Sequence, residues 1–228
     1  MKKILSVFAI CLFALNGIQA KKWMNNIGVG LTIPISQIGI DEKSSDDIFQ
    51  VGYGIGGTYV GIHENGFTAK ANIDIGAATT KDISLQGDET NVGIFYNFDF
   101  GVGYSFIHTE KITFSLTGMA GLDMETYFDS EDDVSYDEKD CESVDRTFSL
   151  AELNIGADLF FAYHIKEHFG FFANLSTRYL IVGSSKENIE WSWKSKTGGT
   201  RKESEDKDGP DLAGKFRIQP TIGVIWNF

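Results

Sequence analysis

The sequence predicts an all-β chain: eight antiparallel strands closed into an up-and-down transmembrane β-barrel. Three observations carry this. Apolar and small or polar residues alternate with a period of two along eight separate stretches, the mark of strands with unlike faces. Tight turns and long connections join these stretches in alternation, which gathers the long loops at one end. Beyond residue 20, no uninterrupted apolar run approaches the length a membrane-crossing helix needs.

Each strand follows from its own alternation. The first, about 23–35, sets Ile27, Val29, Leu31, Ile33 and Ile35 against Asn26, Gly28, Gly30 and Thr32. The second, 50–62, sets Val51, Tyr53, Ile55 and Tyr59 against glycines and Thr58. The third, 67–78, sets Phe67, Ala69, Ala71, Ile73 and Ile75 against Thr68, Lys70, Asn72 and Asp74. The fourth, 91–106, is the clearest, with Val92 through Phe106 on one face and Asn97, Asp99, Gly101 and Gly103 on the other. The fifth, 112–126, places Asp123 and Glu125 opposite Leu122 and Met124. The sixth, 148–165, places Glu152, Asn154 and Asp158 opposite Leu153, Ile155 and Leu159. The seventh, 169–182, places Asn174, Ser176 and Arg178 opposite Phe171, Leu175 and Tyr179. The eighth, 212–228, places Lys215, Arg217, Gln219 and Thr221 opposite Phe216, Ile218 and Ile222. Tight turns fall at 63–66, 107–111 and 166–168, and long connections near 36–49, 79–90, 127–147 and 183–211. Pro34 and Pro220 lie in the two strands that must close the barrel. Each lacks a ladder donor, so a bulge or weakened seam is expected near Pro220.

A soluble barrel of the lipocalin kind would use the same alternation with its apolar face inward. That face carries too many Phe and Tyr residues for the narrow interior of an eight-stranded barrel, whereas the Gly- and Ser-rich face suits a crowded lumen. Aromatics also gather near the short turns: Trp23, Tyr59, Phe67, Tyr104, Phe106, Tyr163, Phe169, Phe171 and Trp226. This is the pattern of an interfacial girdle. A thinner second band is expected from Tyr53, Tyr127, Phe148 and Tyr179.

Residues 1–20 read as a Sec signal peptide: Lys2 and Lys3, an apolar run from Ile4 to Leu15, and Ala20 at the cleavage position. Residues 21–228 form one domain. The last strand ends Trp226-Asn227-Phe228, with Ile222, Val224, Trp226 and Phe228 on one face. With the leader and the strand count, this resembles the small eight-stranded bacterial outer-membrane barrels, the OmpX, OmpW and OmpA transmembrane-domain group. The resemblance covers 21–228. It implies a multi-pass barrel in the cell outer membrane, surrounded by outer-membrane lipids. It also implies that Ile222, Val224, Trp226 and Phe228 form the C-terminal signal read by the barrel-assembly machinery. The group includes structural barrels, adhesins, small-solute conduits and a few lipid-modifying enzymes, so the resemblance does not choose a role.

A net charge of −12 disfavours nucleic acid, whose phosphates need a basic surface. Past the leader the chain holds one cysteine, Cys141, read as an exposed thiol in an acidic run, and a monomer is expected. The inward charges are Lys70, Arg178, Lys215 and Arg217 against Asp74, Asp99, Asp123, Glu125, Glu152 and Asp158. They read either as an ion-pair network that plugs the barrel or as the lining of a small-solute path. Inward Phe95, Phe160 and Phe172 narrow the bore. The acidic run from Asp129 to Asp145 reads as a solvated loop; its spacing does not match an EF-hand, and no metal site or cofactor is assigned. Trp191 and Trp193, beside Lys194 and Lys196, are candidate contacts for a host or surface ligand, or else part of a hairpin with Gly198-Gly199 at its tip. His63, His108, His164 and His168 all fall at or beside the short turns with no nucleophile constellation. The glycines at 52–57 lie within a strand and open no helix, so no enzyme activity is expected. The role expected is a structural or adhesin-like surface protein, with an OmpW-like conduit for small solutes as the alternative.

Overall fold

The computed structural model describes residues 23–40, 48–81, 90–132, 135–136, 139–194, 200–208 and 212–228. The leader expected at 1–20, most of the connections at 41–47 and 82–89, and the hairpin tip expected at Gly198-Gly199 lie outside them. The strands are β1 (Trp23–Thr32), β2 (Ile35–Ile40), β3 (Ile48–His63), β4 (Phe67–Lys81), β5 (Thr90–His108), β6 (Ile112–Asp132), β7 (Ser135–Tyr136), β8 (Lys139–Lys166), β9 (Phe169–Lys194), β10 (Thr200–Asp208) and β11 (Leu212–Asn227). All pairings are antiparallel. β3, β4, β5, β6, β8, β9 and β11 follow one another around a ring, which β1 and β2 close together as one stave between β11 and β3. This is the eight-stranded barrel read from the alternation, with β7 and β10 as additions beyond it.

The closing seam corrects one expectation. Opposite β11 the register runs without a step from Thr32↔Thr221 to Ile35↔Ile218, and opposite β9 it passes straight through Pro220↔Leu175. There is no bulge at Pro220; the bulge in β11 falls between Ala213 and Lys215. What the prolines do is remove single bonds. Ile33 N donates to Pro220 O at 3.0 Å and Gly52 N to Pro34 O at 2.8 Å, and neither proline has an N–H to return the bond. Both losses fall on the β1–β2 stave, which is why it is interrupted at Ile33-Pro34.

The outside of the ring is apolar. Leu31 is 72 % exposed, Phe100 69 % and Ile222 69 %, each flanked in its strand by inward, covered residues. Such a face is at home against lipid, not water. Around the short-turn end, aromatic edges meet edge to face: Trp23 with Phe67 at 6.1 Å, Tyr104 with Phe106 at 5.6 Å, and Phe169 with Trp226 at 5.8 Å. The second band does not form as expected. Tyr53 and Tyr179 face out, but Tyr127 is buried at the long-loop end of the lumen with Phe148 packed beside it. Tyr127 shares its parity with Asp123 and Glu125, so the alternation itself points it inward. Phe100→Arg near the middle of β5 is expected to cost about 2–4 kcal/mol, as an arginine on a lipid-facing strand does at mid-membrane. Urea unfolding of the barrel in bilayers checks this, and an unchanged midpoint would place that face in water.

At the long-loop end, three barrel strands continue past the barrel and β10 adds a fourth beside them. β6 pairs with β8 up to Asp132↔Ser143, β8 with β9 up to Cys141↔Trp193, and β9 with β10 from Thr200↔Lys194 to Asp208↔Lys186. The acidic run is therefore no free loop where it is described: Asp129 sits opposite Arg146 and Ser130 opposite Asp145. β10 is exposed throughout and charged, which discourages edge-to-edge pairing at this open strand.

Candidate functional site

Inward parity brings all ten predicted lumen charges into one buried array. Lys70, Asp74, Asp99, Asp123, Glu125, Glu152, Asp158, Arg178, Lys215 and Arg217 are each at most 5 % exposed. The array is ordered along the barrel. Nearest the short turns, Asp158 takes Lys70 Nζ at 2.7 Å and Arg178 Nη1 at 2.6 Å. Arg178 Nε reaches Asp99 Oδ1 at 2.9 Å, and Arg217 Nη2 approaches Asp99 Oδ2 at 3.8 Å. Arg217 Nη1 lies 2.6 Å from Asp123 Oδ2 but off the line of its N–H bonds, so this pair is charge proximity more than a directed bond. Nearest the long loops, Lys215 Nζ lies 2.6 Å from Glu125 and 3.1 Å from Glu152.

Cross-strand register explains the layout. Arg178 and Arg217 are direct neighbours on β9 and β11, a like-charge contact that would be unfavourable alone. Both reach to the shared carboxylate of Asp99 on β5. Asp123 and Glu152 are likewise neighbours, and are drawn to Arg217 and Lys215 respectively. The basic β9 and β11 thus face acids on β5, β6 and β8, as the sequence implied; Lys70 on β4 is the fourth cation.

Neutral residues outside the charge pattern complete the array. Asn72 Nδ2 donates to Asp158 Oδ2 at 2.7 Å, Lys70 Nζ donates to Asn174 Oδ1 at 2.5 Å, and Gln50 Nε2 donates to Glu125 Oε2 at 2.7 Å. Gln50 also contacts the Tyr127 hydroxyl, which donates to Glu125 at 3.1 Å. The sequence signal for them is the same inward parity that marks the charges.

Apolar layers lie on both sides. Toward the short turns, Val60, Ile62, Phe160, Ala162, Phe172 and Ile225 pack together with Met24 against them. Toward the long loops, Ala78, Phe95, Tyr127 and Leu150 do the same. The glycines of β1 and β11 make the lower layer fit: a Cβ on Gly28 or Gly223 would come within 2.8 or 2.7 Å of the Phe172 ring.

The loop candidates fare differently. The hairpin reading of 183–208 agrees with the β9–β10 pairing. Trp191, however, is only 7 % exposed and packs with Cys141, Val144 and Ile189, with Tyr136 and Trp193 against them. It is a core side chain of the projecting sheet, because its parity on β9 matches that of Ile189. Cys141, expected to be exposed, is 3 % exposed in the same cluster. The open surface nearby is a polar concavity of ≈ 340 Å³ between β8, β9 and β10, lined by Thr147, Ser149, Lys186, Asn188, Asp206 and Lys207 among others. The histidines lie at the short-turn end as expected. His63 meets Asn65 Oδ1 at 2.9 Å, His108 meets the Ser105 and Glu64 carbonyls, and His168 meets the Asn227 carbonyl. Ile222, Trp226 and Phe228 lie exposed on the outer face with half-buried Val224.

No family model matches the chain, and no curated protein matches it in sequence. Solved structures do. The major outer membrane protein of Thermus thermophilus is 12 % identical, with 88 % of this chain and 99 % of that one aligned and a TM-score of 0.53. OprG of Pseudomonas aeruginosa is 14 % identical over 91 % and 97 %, with a TM-score of 0.48. Ail of Yersinia pestis, the attachment invasion locus protein, is 12 % identical over 90 % and 99 %, with a TM-score of 0.40. At 12 % identity, the likeness to the Thermus protein speaks to the fold alone.

Proposed function

We propose that this chain is an outer-membrane barrel whose lumen is a structural plug and whose work is done at the long-loop end, as a surface structural or ligand-binding protein. The observation that carries the reading is the stacking inside the barrel: a paired charge array between two apolar layers. A path for ions or polar solutes needs continuous hydration, and both layers oppose it. The projecting β6–β8–β9–β10 sheet, with its ordered core and polar concavity, supplies a rigid surface instead. The short turns face the periplasm in this arrangement, and the outer face of Ile222, Val224, Trp226 and Phe228 is presented to the assembly machinery before insertion. The chain acts as a monomer without catalysis; the contacts of His63, His108 and His168 are to Asn65 and to backbone carbonyls, not to a nucleophile.

Single-channel recording of the folded barrel in a planar bilayer tests the plug, with a silent bilayer as the expected result. Discrete openings altered by Arg178→Ala would instead favour the small-solute conduit. Deleting 186–208 is expected to leave the barrel folded and abolish binding of the chain to surfaces; retained binding would move the contact elsewhere.

A further inference from the structure

Between the two apolar layers, the described residues hold four cations and six carboxylates. Lys70 and Arg178 satisfy Asp158 and Asp99, and Arg217 sits at Asp123. Glu125 and Glu152 share Lys215. Asp74 is left over. Its side chain is buried and feels the charge of Arg217 through space, but among the described residues no lysine or arginine stands within ion-pair distance of it. A buried carboxylate without a paired cation in contact is unfavourable, so this position calls for a positive partner.

Space for one exists beside it. A cavity of ≈ 10 Å³, room for a single water-sized body, is lined by Asp74, Thr58, Asn72 and Thr221, with Gly56, Gly57, Asn174, Ser176 and the Phe172 ring completing its wall. Thr58 Oγ1 donates its proton to Asn72 Oδ1 at 2.9 Å, and Thr221 Oγ1 donates to Thr32 Oγ1 at 3.0 Å. Both hydroxyl oxygens are thereby left as acceptors. The lining therefore offers one carboxylate and neutral oxygens, the donor chemistry of a hard cation.

We propose that the lumen holds one monovalent cation, sodium, anchored by Asp74 with Thr58, Asn72 and Thr221 as neutral oxygen ligands. A calcium ion would call for six to eight oxygens, several from carboxylates. The nearest other acids, Asp158 and Asp99, are already engaged by Lys70 and Arg178. The apolar layers leave the ion no open route, so it enters as the barrel closes and leaves slowly. The inference rests on the closed lumen, which the conductance experiment tests separately.

The test is to refold the mature chain into lipid vesicles in sodium chloride or in choline chloride of equal ionic strength, at one pH. After desalting, sodium is measured by atomic emission and the unfolding midpoint is recorded. The barrel refolded in sodium is expected to retain roughly one ion per chain and to unfold about 5 °C higher than in choline. Asp74→Asn retains none and has the same midpoint in both salts. Should Asp74→Asn fail to fold, Thr221→Val carries the comparison and is expected to lower retention in a folded barrel. No retained sodium in the wild-type chain would assign the missing charge to a proton on Asp74 and overturn the proposal. Equal retention in the variants would overturn the site.

Discussion

Arg178→Met is expected to destabilise the barrel by about 3–5 kcal/mol, the usual consequence of removing one partner of a buried ion pair. Arg178 bridges Asp158 at 2.6 Å and Asp99 at 2.9 Å, with its side chain 1 % exposed. Methionine fills a similar volume, so the loss isolates charge from packing. Asp158 keeps Lys70, but Asp99 is left with Arg217 at 3.8 Å. The double variant Arg178→Met/Asp99→Asn should therefore recover part of the loss, because much of the penalty is the stranded carboxylate. Urea unfolding in bilayers, followed by tryptophan fluorescence, reads both. A change below about 1 kcal/mol, the scale of exposed pairs, would mean that the array is bathed in water and the plug reading is wrong.

Phe160→Ala should cost about 3–5 kcal/mol, the range for truncating a fully buried aromatic. Phe160 is 0 % exposed, stacks on Phe172 with ring centroids 5.8 Å apart, and carries Lys70 over its face at 5.1 Å. Its neighbour Phe161 points to the outside of the barrel, and Phe161→Ala leaves the lumen filled. Heat denaturation of the two variants in the same vesicles should order them Phe160 below Phe161. The reverse order would show that lumen packing contributes less than contact with the lipid face.

Period-two patterning makes most of the barrel legible in the sequence. Parity along β4, β5, β6, β8, β9 and β11 places every lumen charge on the correct side, because one residue of slip would turn each strand's apolar face inward. The same rule places Tyr127, although its aromatic character argues for a membrane girdle, but it does not place Trp191. Counting by twos from Arg178 turns Trp191 outward; the register shift in β9 opposite Leu153 and Asn154, which leaves Ile181 and Val182 both exposed, turns it inward. At Tyr127 residue type competes with parity, and parity wins because β6 continues into the projecting sheet without a register shift against β8. The extent of that continuation is not legible. The acidic residues after Tyr127 favour solvent over a strand, and only pairing with β8 holds them extended.

The number of staves, the sign of the lumen's charges and the face of each residue up to a register shift follow from the order of residues along the chain, since a period of two is local information carried by neighbours; beyond the shifts in β5 and β9 the face changes. Which charges meet was settled by the closed barrel alone. Arg178 with Asp99 and Lys215 with Glu125 are contacts across the lumen, and Asp74 lies beside a small cavity with no ion-pair partner among the described residues. They depend on stagger and closure, which no local pattern encodes.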